Sequence, residues 1–303
     1  MEKIAYLGLP NCYRLSNGAA EVVVASDVGP RVLRYALAGG ENILGEHPEA
    51  AARTVWGEFK PYGGHRLWAA PEANPRSYSP DNDPVEATAD GPLGVRLVQK
   101  IDPRTGLGKE MIVRLDSSGA GVSVEHRVVN GGVWSIELAP WALTVMRPGG
   151  EVVIPQEPFG PHPDFLLPAR PLVLWHYTDL TDARLTLGRR LVRLRADAAR
   201  PEPQKIGLLN KQGWAAYHAG SELFVKRYGY EEGAAYPDYN CNTEVFTAGS
   251  FVEVESLAPL RRLEPGEAAE HVEQWSLHGG VGLGANEEEI EAVLAPHVWR
   301  AAS

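Results

Sequence analysis

Short alternating segments, each closed by a glycine or proline turn, constrain this chain most. From Gly121 to Val129, the residues Val122, Val124, His126 and Val128 alternate with Ser123, Glu125 and Arg127. That period of two sends one set of side chains to each face of a β-strand. Further short strands, bounded by turns, are read at Tyr13 to Leu15, Ala20 to Ala25, Arg31 to Leu37, Gly94 to Ile101, Lys109 to Leu115 and Ile136 to Met146. They continue at Glu151 to Pro155, Gly213 to His218, Glu222 to Tyr228, Phe251 to Leu257 and Ala269 to Leu277. Asn17-Gly18, Gly29-Pro30, Gly39-Gly40, Asp102-Pro103 and Ser117-Ser118-Gly119 mark turns between them. Many short strands at this turn frequency predict an all-β sandwich or barrel. No repeat, low-complexity tract or long linker divides the chain, so residues 1–303 are expected to form one domain. A short C-terminal helix is marked by Asn286 as cap, Glu289 three residues on, and an apolar face of Ile290, Val293 and Leu294. The acidic run Glu287 to Glu289 suits the positive end of its dipole.

Composition narrows the partners. A formal charge of −10 argues against nucleic acid or an anionic membrane, both of which draw affinity from clustered Lys and Arg. The Arg-rich stretch of Arg184, Arg189, Arg190, Arg193 and Arg195 lacks interleaved aromatics and is expected to form a solvated face. Cys12 and Cys241 lie far apart and give neither a disulfide framework nor a zinc pattern. No stretch is long and apolar enough to span a bilayer, and Met1 to Pro10 lacks the features of a signal peptide. A soluble, cytoplasmic protein is the expectation. Phosphate-loop, nucleophile-elbow and dinucleotide-binding fingerprints are absent, so no cofactor is expected.

Two segments carry candidate chemistry. In Tyr239 to Thr247, strand alternation would put Asn240, Asn242 and Glu244 on one face, and in Phe251 to Leu257 it would do the same for Glu253 and Glu255. Such a polar floor is costly to bury without partners, and a hydroxyl-rich sugar or a cation would supply them. An ordinary hairpin with its polar face in water is the alternative. The loop Tyr62 to Glu72 joins two glycines to His65, Arg66, Trp68 and Glu72. An indole can stack on the apolar face of a sugar while Arg and His bind its hydroxyls; a plain turn with a core Trp68 is the competing reading. Trp141, Lys211 and Lys226 are further candidates for a cleft, each open to a structural reading as a buried Trp or a surface Lys. His218, His271, His278 and His297 lack the spacing of a helical metal pair, so no metal site is assigned to them.

Across almost the whole chain the sequence resembles the aldose 1-epimerase or galactose mutarotase-like superfamily, and within it a branch marked by Gly-Gly-His-Arg-Leu-Trp. The residues that carry the likeness are Leu15-Ser16-Asn17-Gly18 with Gly29-Pro30-Arg31-Val32, Gly63 to Trp68, Glu244-Val245-Phe246-Thr247, Val254-Glu255-Ser256 and Leu263-Glu264-Pro265-Gly266-Glu267. The resemblance implies a large antiparallel β-supersandwich. It also implies that Glu255 is the general base that deprotonates an anomeric hydroxyl. The superfamily's acid histidine lies in a His-x-Tyr-Phe segment, where this chain reads Pro140-Trp141-Ala142-Leu143. His65 is then the candidate acid, and Arg66, Trp68, Glu72, Trp141, Lys211, Lys226, Asn240, Asn242, Glu244 and Glu253 are candidate substrate contacts. Three readings follow: a mutarotase-like enzyme acting on a small carbohydrate, a carbohydrate-binding protein of the same fold without turnover, and a metal-assisted role in which Glu244, Glu253 and Glu255 collect a hard cation such as calcium.

Overall fold

The computed structural model describes residues 1–298 and contains two large antiparallel sheets. The first has 11 strands. Its middle runs, in spatial order, through Arg31–Leu37, His65–Ala70, Ile136–Met146, Phe251–Leu257, Thr243–Ala248 and Gln204–Leu208. The second has 10 strands, with Leu107–Leu115, Val122–Asn130, Ala268–Gly279, Glu222–Tyr228 and Trp214–Ala219 adjacent at its middle. The two sheets bear out the all-β architecture expected from the turn frequency and the large antiparallel supersandwich that the resemblance implies.

One face of each sheet is apolar, and these faces meet. Val22, Val24 and Val32 from the first sheet and Val95, Val113 and Val124 from the second belong to one continuous buried core. Tyr35, Phe224 and Trp275 close the gap, with ring centroids 5.7–6.1 Å apart. Each such side chain contributes about 1.5–3 kcal/mol by leaving water, so strand alternation alone fixes which face turns inward.

Ala20–Ala25, Arg31–Leu37, Ile136–Met146, Glu151–Pro155, Glu222–Tyr228 and Phe251–Leu257 form with the expected limits. Gln204–Leu208 is a strand that alternation did not disclose. At the C-terminus, helix Glu287–Val298 starts from the expected box: Glu289 N donates to Asn286 Oδ1 at 3.0 Å, and Asn286 Nδ2 donates to Glu289 Oε1 at 2.6 Å. The Arg-rich stretch is less solvated than expected. Arg184 is buried, held by Asp182 and by the carbonyls of Arg200 and Glu202. No helix among the described residues is long and apolar enough to cross a membrane.

Candidate active site on the outer face of the larger sheet

Register decides which candidates can meet. Arg66 pairs with Leu143, Leu143 with Glu255, Glu255 with Glu244, and Glu244 with Gly207. Directly opposed residues of an antiparallel pair point the same way, so Arg66, Glu255 and Glu244 lie on one face. That face is turned away from the second sheet. Glu253, two residues before Glu255, shares it, as does Lys205, two before Gly207. Trp68 and Trp141 are also opposed, with ring centroids 5.4 Å apart.

The result is a buried group of three carboxyls and two cations. Lys205 Nζ lies 2.7 Å from Glu244 Oε2 and 3.1 Å from Glu255 Oε2. The ammonium thus bridges the two carboxyls, with the shorter contact to Glu244, whose Oε1 has no donor. Glu255 Oε2 also accepts the Trp141 indole N–H at 2.8 Å, while Oε1 has no donor. Arg66 Nη2 approaches Glu253 Oε1 at 2.8 Å and leaves its Nε and Nη1 without acceptors; Trp68 Nε1 is likewise unused. Above Lys205, the rings of Trp141 and Trp175 stand 4.8 and 4.7 Å from its ammonium. Arg66 lies 4.7 Å over Trp68.

Burial sets the electrostatics. Burial alone would push the Lys205 ammonium down, but Glu255 and Glu244 outweigh it and hold the group well above the ordinary lysine value. Burial is the main cause that raises Glu244 well above the carboxylate range; the Glu255 and Asp238 charges add to it, and Lys205 opposes it. Glu253 is raised by burial first and by Glu255 next, against Arg66.

The cover comes from connections outside the sheet. Thr178 Oγ1 donates to Lys205 O and accepts from Trp175 N at 2.9 Å, which seats the Trp175 turn over the edge of the sheet. Gly207 makes room: a Cβ there would lie 2.4 Å from Cys241 Sγ and 3.1 Å from the Trp175 ring. Tyr177, about 42% exposed, stands at the rim, close enough for Lys205, Glu255 and Glu244 to bear on its hydroxyl. Tyr78 packs on Trp68 with centroids 5.3 Å apart and donates to exposed Glu72. Under this cover Glu244 and Glu255 are fully buried.

Several expectations need correction. His65 is not in this site: it is paired with Thr144, on the face of the sheet that meets the second sheet, and this register, one step from Arg66 and Leu143, separates it from Glu255. There Thr144 donates to His65 Nδ1 at 2.8 Å, His65 Nε2 donates to His126 Nε2 at 2.7 Å, and His126 Nδ1 donates to His271 O at 3.0 Å. His126 Nδ1 must be the donor because its partner is a carbonyl, and this fixes the other tautomers in turn. Lys226 belongs to the same interior network, 2.9 Å from Glu273 and bonded to Val254 O at 3.1 Å. His65, His126 and Glu273 have ligand atoms close enough for a metal. However, the Glu273 oxygens are already engaged by Lys226, Ser256 and the Trp275 indole.

Asn240 lies in a left-handed turn, φ 72°, that ends before the strand begins at Thr243, and it is exposed. Asn242 exchanges hydrogen bonds with the Asn210 backbone, at 2.7 and 2.9 Å, so it holds a loop. Lys211 is exposed on that loop. The two glycines of the His65 loop serve backbone crossing, because a Cβ on Gly63 or Gly64 would lie 2.1 Å from a carbonyl oxygen. A calcium-binding role for Glu244, Glu253 and Glu255 meets a further obstacle, since Lys205 and Arg66 already stand against these carboxyls. Lys205, Trp175 and Tyr177 escaped the sequence reading. The one signal for Lys205 is its place beside Ile206 and Leu208 in a short alternating run.

Comparison of sequences finds no matching family model and no matching curated protein. Comparison of structures does find relatives. A candidate aldose 1-epimerase from Escherichia coli K12 superposes with a TM-score of 0.60 at 12% identity, covering 89% of this chain and 99% of that one. A galactose mutarotase-like protein from Lactobacillus casei gives 0.55 at 13% identity, with 88% and 100% covered. The chain has the galactose mutarotase-like fold. A TPR-domain containing protein from Parabacteroides distasonis matches at 0.61 and 14% identity over 90% of this chain but 48% of its own, so the mutarotase-like fold also forms part of a larger protein. At these identities the fold is shared and the chemistry has to be argued from the site.

Proposed function

We propose that the outer-face site binds a monosaccharide or sugar derivative and interconverts its anomers, with Glu255 as the base that takes the anomeric proton. The observation that carries this reading is the pair of buried carboxyls, each with an oxygen lacking a donor, beside unused N–H groups of Arg66 and Trp68. Burying so many unsatisfied polar atoms is unfavourable unless a ligand with both hydroxyl donors and oxygen acceptors completes them. A sugar offers both, and Trp68, Trp141 and Trp175 offer faces for its C–H surface. Arg66 and Trp68 would bind hydroxyl oxygens, and Glu253 would orient Arg66. Because the site is buried, entry would require the Trp175 ring, 4.7 Å from the Lys205 ammonium, to move. The reading fits the likeness of Val254-Glu255-Ser256 to the base segment of mutarotases.

Saturation-transfer NMR across a panel of aldoses and uronic acids tests it. Exchange between α and β signals faster than the spontaneous rate is the expected outcome for at least one sugar. Saturable binding without exchange would make the protein a carbohydrate binder only, a reading favoured by Trp141 at the expected histidine position. Neither binding nor exchange would overturn both.

A further inference from the structure

We propose that Glu244 is the general acid of this site, delivering a proton to the ring oxygen of the sugar while Glu255 receives one from the anomeric hydroxyl. The assignment rests on the anomer-exchange reading above and fills the role left open by Trp141 and by the interior position of His65.

Three observations converge. Glu244 and Glu255 are direct register partners on neighbouring strands, so their carboxyls face the same volume side by side. Both are fully buried, and each keeps Oε1 without a donor, free to meet a ligand. Their partners differ: Lys205 Nζ and the Trp141 indole N–H both reach Glu255 Oε2, whereas Lys205 alone reaches Glu244. One ammonium between two buried carboxyls neutralises one negative charge, and the other carboxyl then holds a proton. The groups that bear on Glu244 favour it as the holder. Glu255 on the adjacent strand and Asp238 on the preceding turn raise it, as burial does, and only Lys205 on the other adjacent strand opposes them. Nearby Cys241 is itself pushed up by burial first and stays a neutral thiol, and the Tyr177 hydroxyl, raised to about 12 chiefly by burial, stays protonated. A carboxyl kept protonated in this way can act as the acid of an acid and base pair.

The step balances. The anomeric O–H bond breaks toward Glu255, C1=O forms, the C1–O5 bond breaks, and O5 takes the Glu244 proton. Rotation about C1–C2 exposes the other carbonyl face. Closure then returns the O5 proton to Glu244 and the Glu255 proton to the new anomeric oxygen, leaving both groups as they began.

The test compares wild type with Glu244→Gln for exchange and for sugar binding, using the sugar that wild type exchanges fastest. Losing a general acid lowers the exchange rate by about 100-fold or more, while binding changes by less than about fivefold. Glu244→Asp should recover part of the lost rate. Wild-type exchange should also fall at alkaline pH, as Glu244 loses its proton, and Glu244→Gln should lack that limb. A wild type that exchanges sugar alongside a Glu244→Gln that binds and exchanges within about threefold of it overturns the acid assignment alone. A wild type that exchanges nothing overturns the function and the assignment together. Should Gln at 244 prevent folding, a wild-type rate that shows no fall across the alkaline range in which the protein stays folded is the overturning result.

Discussion

Glu255 is set apart from its neighbours by what reaches it. Lys205 and the Trp141 indole both donate to its Oε2, so its orientation is held from two strands while the buried Oε1 keeps no donor. Trp141 thus stands where the resemblance led us to expect an imidazole, and as an N–H donor without a titrating proton it can orient a base but cannot act as an acid. Trp141→Phe keeps an aromatic ring beside the Lys205 ammonium and removes that one donor. Anomer exchange should drop about ten- to hundredfold, the scale of a single hydrogen bond to an ionic group. Exchange by Trp141→Phe at the wild-type rate would show that the indole does not position Glu255.

At the scale of elements, legibility followed alternation. Ile136–Met146 was readable as an almost continuous apolar run and Phe251–Leu257 because Val252 and Val254 alternate with Glu253 and Glu255, whose shared face followed directly. The same rule, applied across strands, is what separates His65 from Glu255. Sequence alone gives parity within one strand, but the register between Thr144 and His65 sets which face His65 takes relative to a distant strand. Asn240 and Asn242 were misassigned because the chain turns left-handed at Asp238 to Asn240, so the strand starts later than its polar pattern suggested. Lys205 was invisible for a different reason. Its strand spans only Gln204–Leu208 and its charge is explained by carboxyls nearly 40 and 50 residues downstream in sequence, not by any local motif.

Across the whole molecule, the two sheets are joined by a buried polar network as well as by apolar packing. His65, His126 and His271 are held below the ordinary imidazole value, chiefly by burial, with His271 pushed down to about 3. Glu273 runs the other way from what burial alone would impose: Lys226 and the imidazoles hold it well below the carboxylate range. The sign for stability follows. Below about pH 6.5 the unfolded chain takes up imidazole protons that the folded chain refuses, so these histidines withdraw stability as pH falls from there toward their folded values. Raised Glu244 and Glu253 act oppositely, stabilising at low pH and losing that contribution as pH rises through their folded values. A variant isolates the histidine contribution. His271→Gln keeps an N–H to offer Ser256 and removes one titrating group, so the decline in unfolding free energy below about pH 6.5 should become shallower, by about 0.7 kcal/mol per pH unit there and approaching about 1.4 near pH 5. Denaturant titrations at stepped pH read this slope, and an unchanged slope would mean that His271 is protonated in the folded chain.

The measurement that reaches furthest compares wild type with Glu255→Gln by saturation transfer, with the bound sugar followed in the same samples. Glu255→Gln is isosteric and keeps Lys205 beside Glu244, so sugar should still bind while exchange falls to the spontaneous rate. Wild-type exchange that survives intact in Glu255→Gln would place the chemistry elsewhere on the molecule.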